Sequence, residues 1–360
     1  MKILFLVDTP MAFAGGCWFH RNHMPAKGLQ SRGHEINLYT MNPDMPQEWY
    51  DWPDVAVFSR VYPLDPLPQI RKFKQMGKKV VYEMDDDLWT VNPDNPSVAI
   101  STEKKWQYEH IISEASVVTT TTEFLANKIR KFNKNVFVCP NSIDFTHYLE
   151  RFRQNKKLTI GYSGAASHWK DLELIIDPLL ELQGKYDFDF VLQGMVSTPL
   201  ESEIYMQRQL LNLKLQPEKA RYMESAISLY EKMRGLKYLH IPFYVPYLHA
   251  AILRRCDLDI GLAPLMDNEF NKGKSCLKFY EYASVGTATL ASDVLPYNKE
   301  VGYLAKNTVK DWKEKLEKLI KDKVFRENLA QKQQKWVREN RALEVVAPLW
   351  EKAFDTNPLK

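Results

Sequence analysis

The residues with the most distinctive potential chemistry lie in the stretch 271–293, NKGKSCLKFYEYASVGTATLASD. Lys274 and Ser275 precede a helical pattern that Gly286 ends. A helix N-terminus carries partial positive charge and normally favours acidic side chains, so a lysine there indicates a bound anion. In this interpretation Ser275 caps the helix, and the amides that follow it bind a diphosphate together with Lys274.

Glu281 lies two helical turns after Lys274, on the same face of the predicted helix. A carboxylate at that position can accept hydrogen bonds from both hydroxyls of a ribose. The alternative is an exposed ion pair between Lys278 and Glu281 that contributes only a few tenths of a kcal/mol. The spacing by itself does not separate the two interpretations.

A second lysine occurs at a helix start in the stretch 161–175, GYSGAASHWKDLELI. Glycines allow a tight turn after the predicted strand, Ser163 lies in that turn, and Lys170 begins the next helix. We expect Ser163 and Lys170 to contact the same diphosphate as Lys274. In isolation, a solvated surface position is the alternative for Lys170.

The first half of the chain offers a second group of candidates. Gly15 and Gly16 follow the first predicted strand, and their backbone amides can approach a phosphate or a sugar. His20 follows them and is a candidate catalytic residue. The glycine pair does not match G-x-G-x-x-G, which argues against an NAD enzyme.

Acidic residues cluster at the end of another predicted strand, in the stretch 80–89, VVYEMDDDLW. Glu83, Asp85, Asp86 and Asp87 have three interpretations. They hold a divalent metal, they bind an acceptor hydroxyl or act as a base, or they cap the next segment with one acid paired to Arg60 or His20. We take Asp85 and Asp86 as catalytic candidates and predict no metal site.

Short apolar runs alternate with helical patterns along the whole chain, which predicts an α/β fold of two Rossmann-like, doubly wound domains facing across a cleft. We expect an N-terminal domain over 1–150, a second domain over 151–342, and a last helix over 343–356 that packs back on the first domain. Residues 195–238 are predicted to form an inserted helical hairpin broken by Pro217. Parallel α/β sheets bind ligands at the carboxyl ends of their strands, so the cleft is the expected site.

The composition is that of a globular protein of 360 residues with a net charge of +4. Residues 306–341 hold 12 basic and 6 acidic side chains, which indicates either solvated helices or contact with an anionic polymer. The four cysteines have no zinc-site spacing. No apolar run is long enough to span a membrane, and we expect a cytoplasmic protein that is at most peripheral to a membrane.

Three motifs together resemble the GT-B glycosyltransferases, most closely the retaining family-four enzymes. They are GLQSRGHEINLYT (28–40), CPNSIDFTHY (139–148) and DIGLAPLMDNEFNKGKSCLKFYEYASVGTATLASDVLPY (259–297). The resemblance covers nearly the whole chain and implies transfer of a sugar from a UDP- or GDP-sugar donor with no obligatory cofactor. It implies retention of the anomeric configuration.

Carried over residue by residue, the resemblance assigns diphosphate binding to Lys170, Ser275 and the amides of Cys276 and Leu277. Glu281 is similar to the ribose-binding glutamate. The stretch FYVPY (243–247), with Val245 at its centre, resembles the loop that frames the nucleotide base.

The chain also departs from the family pattern. Many relatives carry a first glutamate where Gly273 stands here, and a His-Asp pair where this chain has Glu83 to Asp87. A surface glycan or a lipid-linked sugar is the implied acceptor. DNA carrying a hydroxymethylated base is an alternative that suits the basic stretch, and a non-catalytic module that binds nucleotide sugars is another.

Overall fold

The computed structural model describes residues 1–7, 15–60, 65–91, 95, 98–214 and 220–356, with the backbone only for 98–104. Two six-stranded parallel sheets form its centre, with helices on their faces. Continuous runs of Val, Ile, Leu and Phe form these strands because a parallel sheet is buried on both faces.

The first sheet has the strand order β2-β1-β3-β4-β5-β6. Its strands are β1 (Lys2–Val7), β2 (Glu35–Thr40), β3 (Val55–Ser59), β4 (Lys79–Met84), β5 (Val117–Thr120) and β6 (Val136–Val138). Its helices are α1 (Gly16–Trp18), a π-helical turn (Phe19–His23), α2 (Met24–Gln30), α3 (Glu48–Asp51), α4 (Leu67–Gln75), α5 (Val98–Glu114) and α6 (Glu123–Ile129).

The second sheet has the order β12-β11-β10-β7-β8-β9. Its strands are β7 (Thr159–Ala165), β8 (Asp189–Met195), β9 (Leu239–Ile241), β10 (Ile260–Ala263), β11 (Ala288–Ser292) and β12 (Leu304–Ala305). The helices are α7 (Trp169–Gln183), α8 (Leu200–Leu213), α9 (Ala220–Met233), α10 (Pro246–Cys256), α11 (Glu269–Lys272), α12 (Leu277–Ser284), α13 (Val309–Lys321), α14 (Lys323–Arg341) and α15 (Leu343–Asp355).

The last helix, α15, packs against the first sheet. Its Trp350 and Phe354 are fully buried in one apolar cluster with Ile3 and Phe5 of β1. The alternate residues of β1, Leu4 and Leu6, face a second cluster on the other side of the sheet. The first sheet is therefore covered on both faces, and its cover on one face comes from the C-terminal end of the chain.

The chain passes between the two sheets twice, and the two passages pair with each other. Ile143 and Ala342 form a parallel β-bridge. The Ile143 amide donates to the Arg341 carbonyl at 2.8 Å, and the Leu343 amide donates to the Ile143 carbonyl at 2.9 Å.

The predicted α/β architecture with two doubly wound sheets is confirmed. The division at residue 150 stays a prediction. The connection from β8 to β9 contains α8 and α9, and buried residues of both helices join the core cluster of the second sheet. Pro217, predicted to separate these helices, lies outside the described residues. The two-residue strand β12 was not predicted.

Candidate functional site

A cavity of about 320 Å³ lies between the two sheets. From the first sheet it is lined by residues that follow strand carboxyl ends, namely Asp85, Asp86, Thr121 and Asn141. From the second sheet, Ser163 to Ala165, Ser167 and His168 line it at the end of β7. A further wall consists of Lys274, Ser275, Leu277, Lys278 and Glu281. The cavity thus occupies the position where open α/β sheets bind ligands.

Two larger concavities lie elsewhere on the second sheet. One, of about 830 Å³, includes the first residues of β7, β8 and β9, and so lies at the amino ends of those strands. The other, of about 660 Å³, lies between α13 and α14. Among these three, only the cavity between the sheets receives side chains from both of them.

The start of α12 differs from the prediction. The helix begins at Leu277, and Cys276 occupies the cap position without a side-chain capping bond. Ser275 therefore does not cap the helix, because its hydroxyl accepts a hydrogen bond from the Asn141 side-chain amide at 2.9 Å. Ser275 and Leu277 line the cavity, whereas the Cys276 thiol is buried in the apolar core.

Lys278 is the residue of this wall that the sequence interpretation undervalued. It lines the cavity, and its ammonium lies 5.7 Å from the centre of the Tyr162 ring. Among the described residues none forms an ion pair with Lys278, so the pair with Glu281 that was the alternative interpretation is not formed there. Burial lowers the pKa of Lys278 to about 8. A half-buried cation without a counter-ion indicates that the cavity is built for an anion.

Glu281 lines the same cavity one helical turn after Lys278, and three side chains surround its carboxylate. The Tyr148 hydroxyl donates to Oε1 at 2.9 Å, and Nε2 of His20 lies 3.6 Å from the same oxygen. His249 Nε2 lies 3.4 Å from Oε2. Burial alone would raise the pKa of Glu281, but His249 and His20 hold it well below its ordinary range.

The Glu281 carboxylate in turn changes the pKa of His249. Burial alone would lower the pKa of His249, yet the Glu281 carboxylate raises it above its ordinary value. His20 belongs to the π-helical turn of the first sheet, whereas His249 belongs to α10 of the second. Glu281 is therefore held ionised by groups from both sides of the cleft, which the sequence order could not reveal.

The structure does not bring Lys170 to this cavity. Its ammonium pairs with Glu173 at 2.9 Å, and its side chain is 42% exposed. Trp169, which precedes it, is buried in the core, so the adjacent side chain points away from the sheet. The lining residue from this segment is His168, in the 3-10 turn Ala166–His168 before α7.

The predicted base loop borders the cavity through its aromatic residues. Phe243 and Tyr244 line the cavity and are 37% and 43% exposed, which leaves their rings free to contact a planar ligand. Val245 precedes α10 as its cap residue and is 47% exposed, but it is not among the lining residues. The adjacent Pro246 does line the cavity.

Of the glycine pair in the first sheet, Gly16 lines the cavity and Gly15 lies just outside it. A Cβ atom at either glycine would meet no atom within 4 Å, so open space adjoins both. Ser163, at the end of β7, lines the opposite side, and its hydroxyl bonds the Gln193 side chain. Gly16 is therefore open to ligand contact, whereas both the hydroxyl and the amide of Ser163 already donate within the protein, to Gln193 and Tyr282.

Asp85 and Asp86 line the cavity on the side of the first sheet, and Arg60 contacts both. One guanidinium nitrogen of Arg60 lies 3.2 Å from each carboxylate and 3.0 Å from the Cys17 sulfur. Lys274 reaches Asp86 from the other sheet at 3.4 Å. Burial alone would raise the pKa of Asp86, but Lys274 and Arg60 lower it to about 2.

Ligand atoms of Cys17, Asp85 and Asp86 lie within 4.8 Å of one another, close enough to share a cation. The guanidinium of Arg60 already contacts all three groups, and together with Lys274 it offsets the charges of the two carboxylates. The arrangement matches the pairing with Arg60 that was one of the three interpretations of this cluster.

The other two acids of the cluster have structural partners. Glu83 is buried and accepts from Nε of Arg21 at 2.6 Å. Asp87 is buried, caps the turn through the Trp89 amide at 3.2 Å and pairs with Lys128 at 2.5 Å. Neither lines the cavity, so only the middle two acids face it.

Several contacts cross the cleft around the cavity. Besides the pairs Asp86–Lys274 and Asn141–Ser275, the Thr122 hydroxyl donates to the Gly273 carbonyl at 3.0 Å. Lys128 pairs with Glu269 at 2.8 Å. The segment before α12 is therefore held by the first sheet along its whole length.

Half of the 12 basic side chains in the stretch 306–341 form ion pairs with acidic side chains. The pairs that the structure contains are Lys310–Glu314, Lys313–Glu181, Lys318–Asp322, Lys323–Glu327, Lys335–Glu339 and Arg341–Glu300. This pattern is typical of solvated helices. Among the described residues, no helix has the length and apolarity needed to cross a bilayer.

Solved structures share this architecture over their whole length. The chain matches a glycosyltransferase from Rickettsia africae with a TM-score of 0.64 and 11% identity, covering 98% of this chain and 97% of that one. HepE of Anabaena, solved with UDP and glucose, matches with a TM-score of 0.67 and 12% identity, covering 99% of this chain and 100% of that one. An alpha-glucosyltransferase solved with UDP-glucose and DNA containing an abasic site matches with a TM-score of 0.65 and 11% identity, covering 99% of each chain.

No protein-family model and no curated protein sequence matches the chain. At identities this low, the likeness to solved structures establishes the fold. The chain has the GT-B fold, and the structures it resembles are glycosyltransferases.

Proposed function

We propose that the protein is a glycosyltransferase that moves a sugar from a nucleotide-diphosphate donor to an acceptor hydroxyl. One observation carries the proposal: Lys274, Ser275, Lys278 and Glu281, from one short segment, line a single cavity at the carboxyl ends of both sheets. Cations and a hydroxyl suit a diphosphate, and the carboxylate one turn away suits the adjoining ribose. UDP is the favoured nucleotide, since HepE and the alpha-glucosyltransferase bind it.

Transfer leaves negative charge on the departing diphosphate. Lys278 has no counter-ion among the described residues and can neutralise this charge directly, while Lys274 does so once it leaves Asp86. Lys278 already lines the cavity, and stabilisation of developing charge by groups that are in place before the reaction is a large source of catalysis. The role that the resemblance gave to Lys170 thus passes to Lys278.

The acceptor hydroxyl enters from the side of the first sheet. Asp85 and Asp86 face the cavity there, and carboxylates accept hydrogen bonds from sugar hydroxyls. A neutral polyol such as a glycan or a lipid-linked sugar fits this wall. We propose that the configuration at the anomeric carbon is retained, as in the enzymes that the sequence resembles.

A panel of nucleotides tests the donor. UDP, GDP and ADP are added to the purified chain, and the melting temperature is measured, since a ligand of the native state raises it. We expect a rise with UDP or GDP that Glu281→Gln and Lys278→Met reduce. No rise with any of the three nucleotides would contradict the proposal.

The reaction itself is tested with the sugar nucleotide that binds. We expect slow hydrolysis without acceptor, transfer to a glycan acceptor, and a product whose anomeric proton coupling matches that of the donor. Binding without transfer or hydrolysis would instead identify a non-catalytic module.

DNA is the second candidate acceptor, because one structure of this fold contains DNA together with UDP-glucose. The ion pairs within the basic stretch argue against it. A mobility-shift titration with duplex DNA carrying hydroxymethylcytosine, repeated from 50 to 200 mM salt, decides between them. Binding that falls steeply with salt would favour DNA, since phosphate contacts release counter-ions.

A further inference from the structure

His168 and Asp171 form a pair at the donor side of the cavity. His168 lines the cavity from the 3-10 turn after β7, and Asp171 lies in the first turn of α7. Nδ1 of His168 lies 2.6 Å from Oδ2 of Asp171. A carboxylate only accepts hydrogen bonds, so Nδ1 carries the hydrogen of this contact.

Asp171 cannot turn away from this pairing. Its other oxygen, Oδ1, accepts the Met266 amide at 2.7 Å and the Asn271 side-chain amide at 3.3 Å. The side chain is buried, so these bonds replace its hydration. Oδ2 is therefore left for His168, and the Nε2 atom of His168 is the ring nitrogen left for a ligand.

Charged groups on several elements face His168. Lys278 of α12 and Lys274 of the preceding turn oppose a further positive charge, whereas Asp171 of α7 and Asp86 after β4 favour one. Burial, and then Lys278, lower the pKa of His168 to about 4. In the empty cavity at neutral pH the imidazole is uncharged.

A diphosphate reverses this balance, because its negative charges offset both lysines while Asp171 stays in place. We propose that His168 takes up a proton when a diphosphate enters the cavity and then donates a hydrogen bond from Nε2 to a diphosphate oxygen. The inference rests on the proposed donor site. The proton comes from solvent on binding and returns to solvent on release, so no other reactant is needed.

The arrangement supplies a third cation only when the ligand is present. Lys274, Lys278 and a permanently charged His168 would repel one another in an empty cavity. An imidazole that takes up a proton only when the ligand binds avoids that repulsion, while its carboxylate partner, Asp171, holds the ring in one orientation.

Calorimetric titration tests the coupling. UDP-glucose and GDP-mannose are the probes, because their diphosphates are esterified at both ends and do not titrate near neutrality. The binding enthalpy is measured at pH 6.5 in buffers of different ionisation enthalpy, and the slope gives the protons taken up. We expect uptake approaching one proton and an affinity that rises up to about tenfold for each pH unit between 8 and 6.

Three variants locate the proton. His168→Asn keeps a donor for Asp171 but does not titrate, so its affinity should match the wild type at pH 8 and fall behind it at lower pH. Asp171→Asn should shift the uptake to lower pH. His34→Asn is the control, because His34 forms a comparable pair with Glu351 at 2.9 Å, away from the cavity. It should leave the uptake unchanged.

The possible results separate the two proposals. If neither sugar nucleotide binds the wild type, the donor site fails and this inference fails with it. If one binds but the proton uptake is zero, or persists in His168→Asn, the donor site stands and the role of His168 is refuted. Uptake confined to pH above 8 belongs to Lys278 and also refutes it.

Discussion

Replacing Lys278 with methionine separates the stability of the empty protein from its ability to bind a donor. Lys278 is half-buried and has no ion-pair partner among the described residues, and its ammonium lies 5.7 Å from the centre of the Tyr162 ring. Methionine is an unbranched side chain shorter by one heavy atom, so it keeps most of the length and removes the charge. We expect the variant to be more stable than the wild type and to bind UDP poorly.

The size of the effect follows from proton affinity. A change in the pKa of Lys278 from 10.5 to about 8 corresponds to about 3 kcal/mol, at roughly 1.4 kcal/mol for each tenfold change in proton affinity. Partial solvent contact reduces this figure, so we expect a gain of about 1–3 kcal/mol in the free energy of unfolding at pH 7. The folded state binds the Lys278 proton less tightly, so the wild type gains stability as pH rises from 8 to 10.5.

Urea denaturation at pH 7, with and without UDP, measures both effects. Wild type should gain stability from UDP, and Lys278→Met should gain little, with a UDP affinity lower by about ten- to a hundredfold, the scale of a lost charged hydrogen bond. Lys170→Met provides the decisive comparison, because the sequence resemblance assigns the diphosphate to Lys170. Lys313→Met, a surface lysine paired with Glu181 at 2.6 Å, is the matched control.

The reasoning is refuted if Lys278→Met is less stable than the wild type when empty and binds UDP equally well. A loss of UDP binding in Lys170→Met, with none in Lys278→Met, would restore the assignment by resemblance. It would also show that the half-exposed Lys170 moves into the cavity on binding.

Five other outcomes are expected. Glu281→Gln should weaken UDP binding by about 1–3 kcal/mol and should bind UDP and 2′-deoxy-UDP with similar affinity, as measured by isothermal titration. If the variant still prefers UDP as strongly as the wild type does, Glu281 does not bind the ribose. Asp86→Asn frees Lys274, so it should keep or raise the affinity for UDP while it slows transfer in a steady-state assay. In acid denaturation, the free energy of unfolding of the wild type should fall by about 2 kcal/mol as pH falls from 3.8 to about 2. Asp86→Asn should lack this loss, because the depressed pKa of Asp86 stabilises the folded state only above that pH range. Transfer should persist in excess chelator, and a loss that Mg²⁺ restores would identify a metal site. Trp350→Ala should destabilise by about 3–5 kcal/mol in urea, and a change below 1 kcal/mol would contradict its role in the core.

The strands were predictable because buried parallel strands are written as short continuous apolar runs. The apolar runs KILFLVD (2–8), VAVFSR (55–60) and KVVYEMD (79–85) match β1, β3 and β4 to within one residue at each end. β12 was not predictable, since two residues carry no periodicity and pairing with β11 alone defines it.

The site was predictable where one short segment carries it. Lys274, Ser275 and Glu281 do line the cavity, because their spacing along the chain reflects their spacing in space. The start of α12 was misplaced because Ser275 is bound by Asn141, 134 residues away in sequence. A long-range partner outcompeted the local capping preference.

Lys170 and His168 show the opposite limit. Both side chains are polar and lie two residues apart, so the sequence does not rank them. The added 3-10 turn before α7, together with the burial of Trp169, fixes which of them faces the cavity. The partners of Glu281, namely Tyr148, His20 and His249, come from three distant elements and have no common signal in the sequence.

The pairing of Ile143 with Ala342 has a mechanical consequence. The two connections between the sheets run side by side and are hydrogen-bonded to each other. A single connection would let one half of the molecule rotate about any axis relative to the other. Two paired connections favour rotation about one axis and resist twisting about the others. The same tether obliges any engineered separation of the lobes to cut the polypeptide at two places, near 143 and near 342.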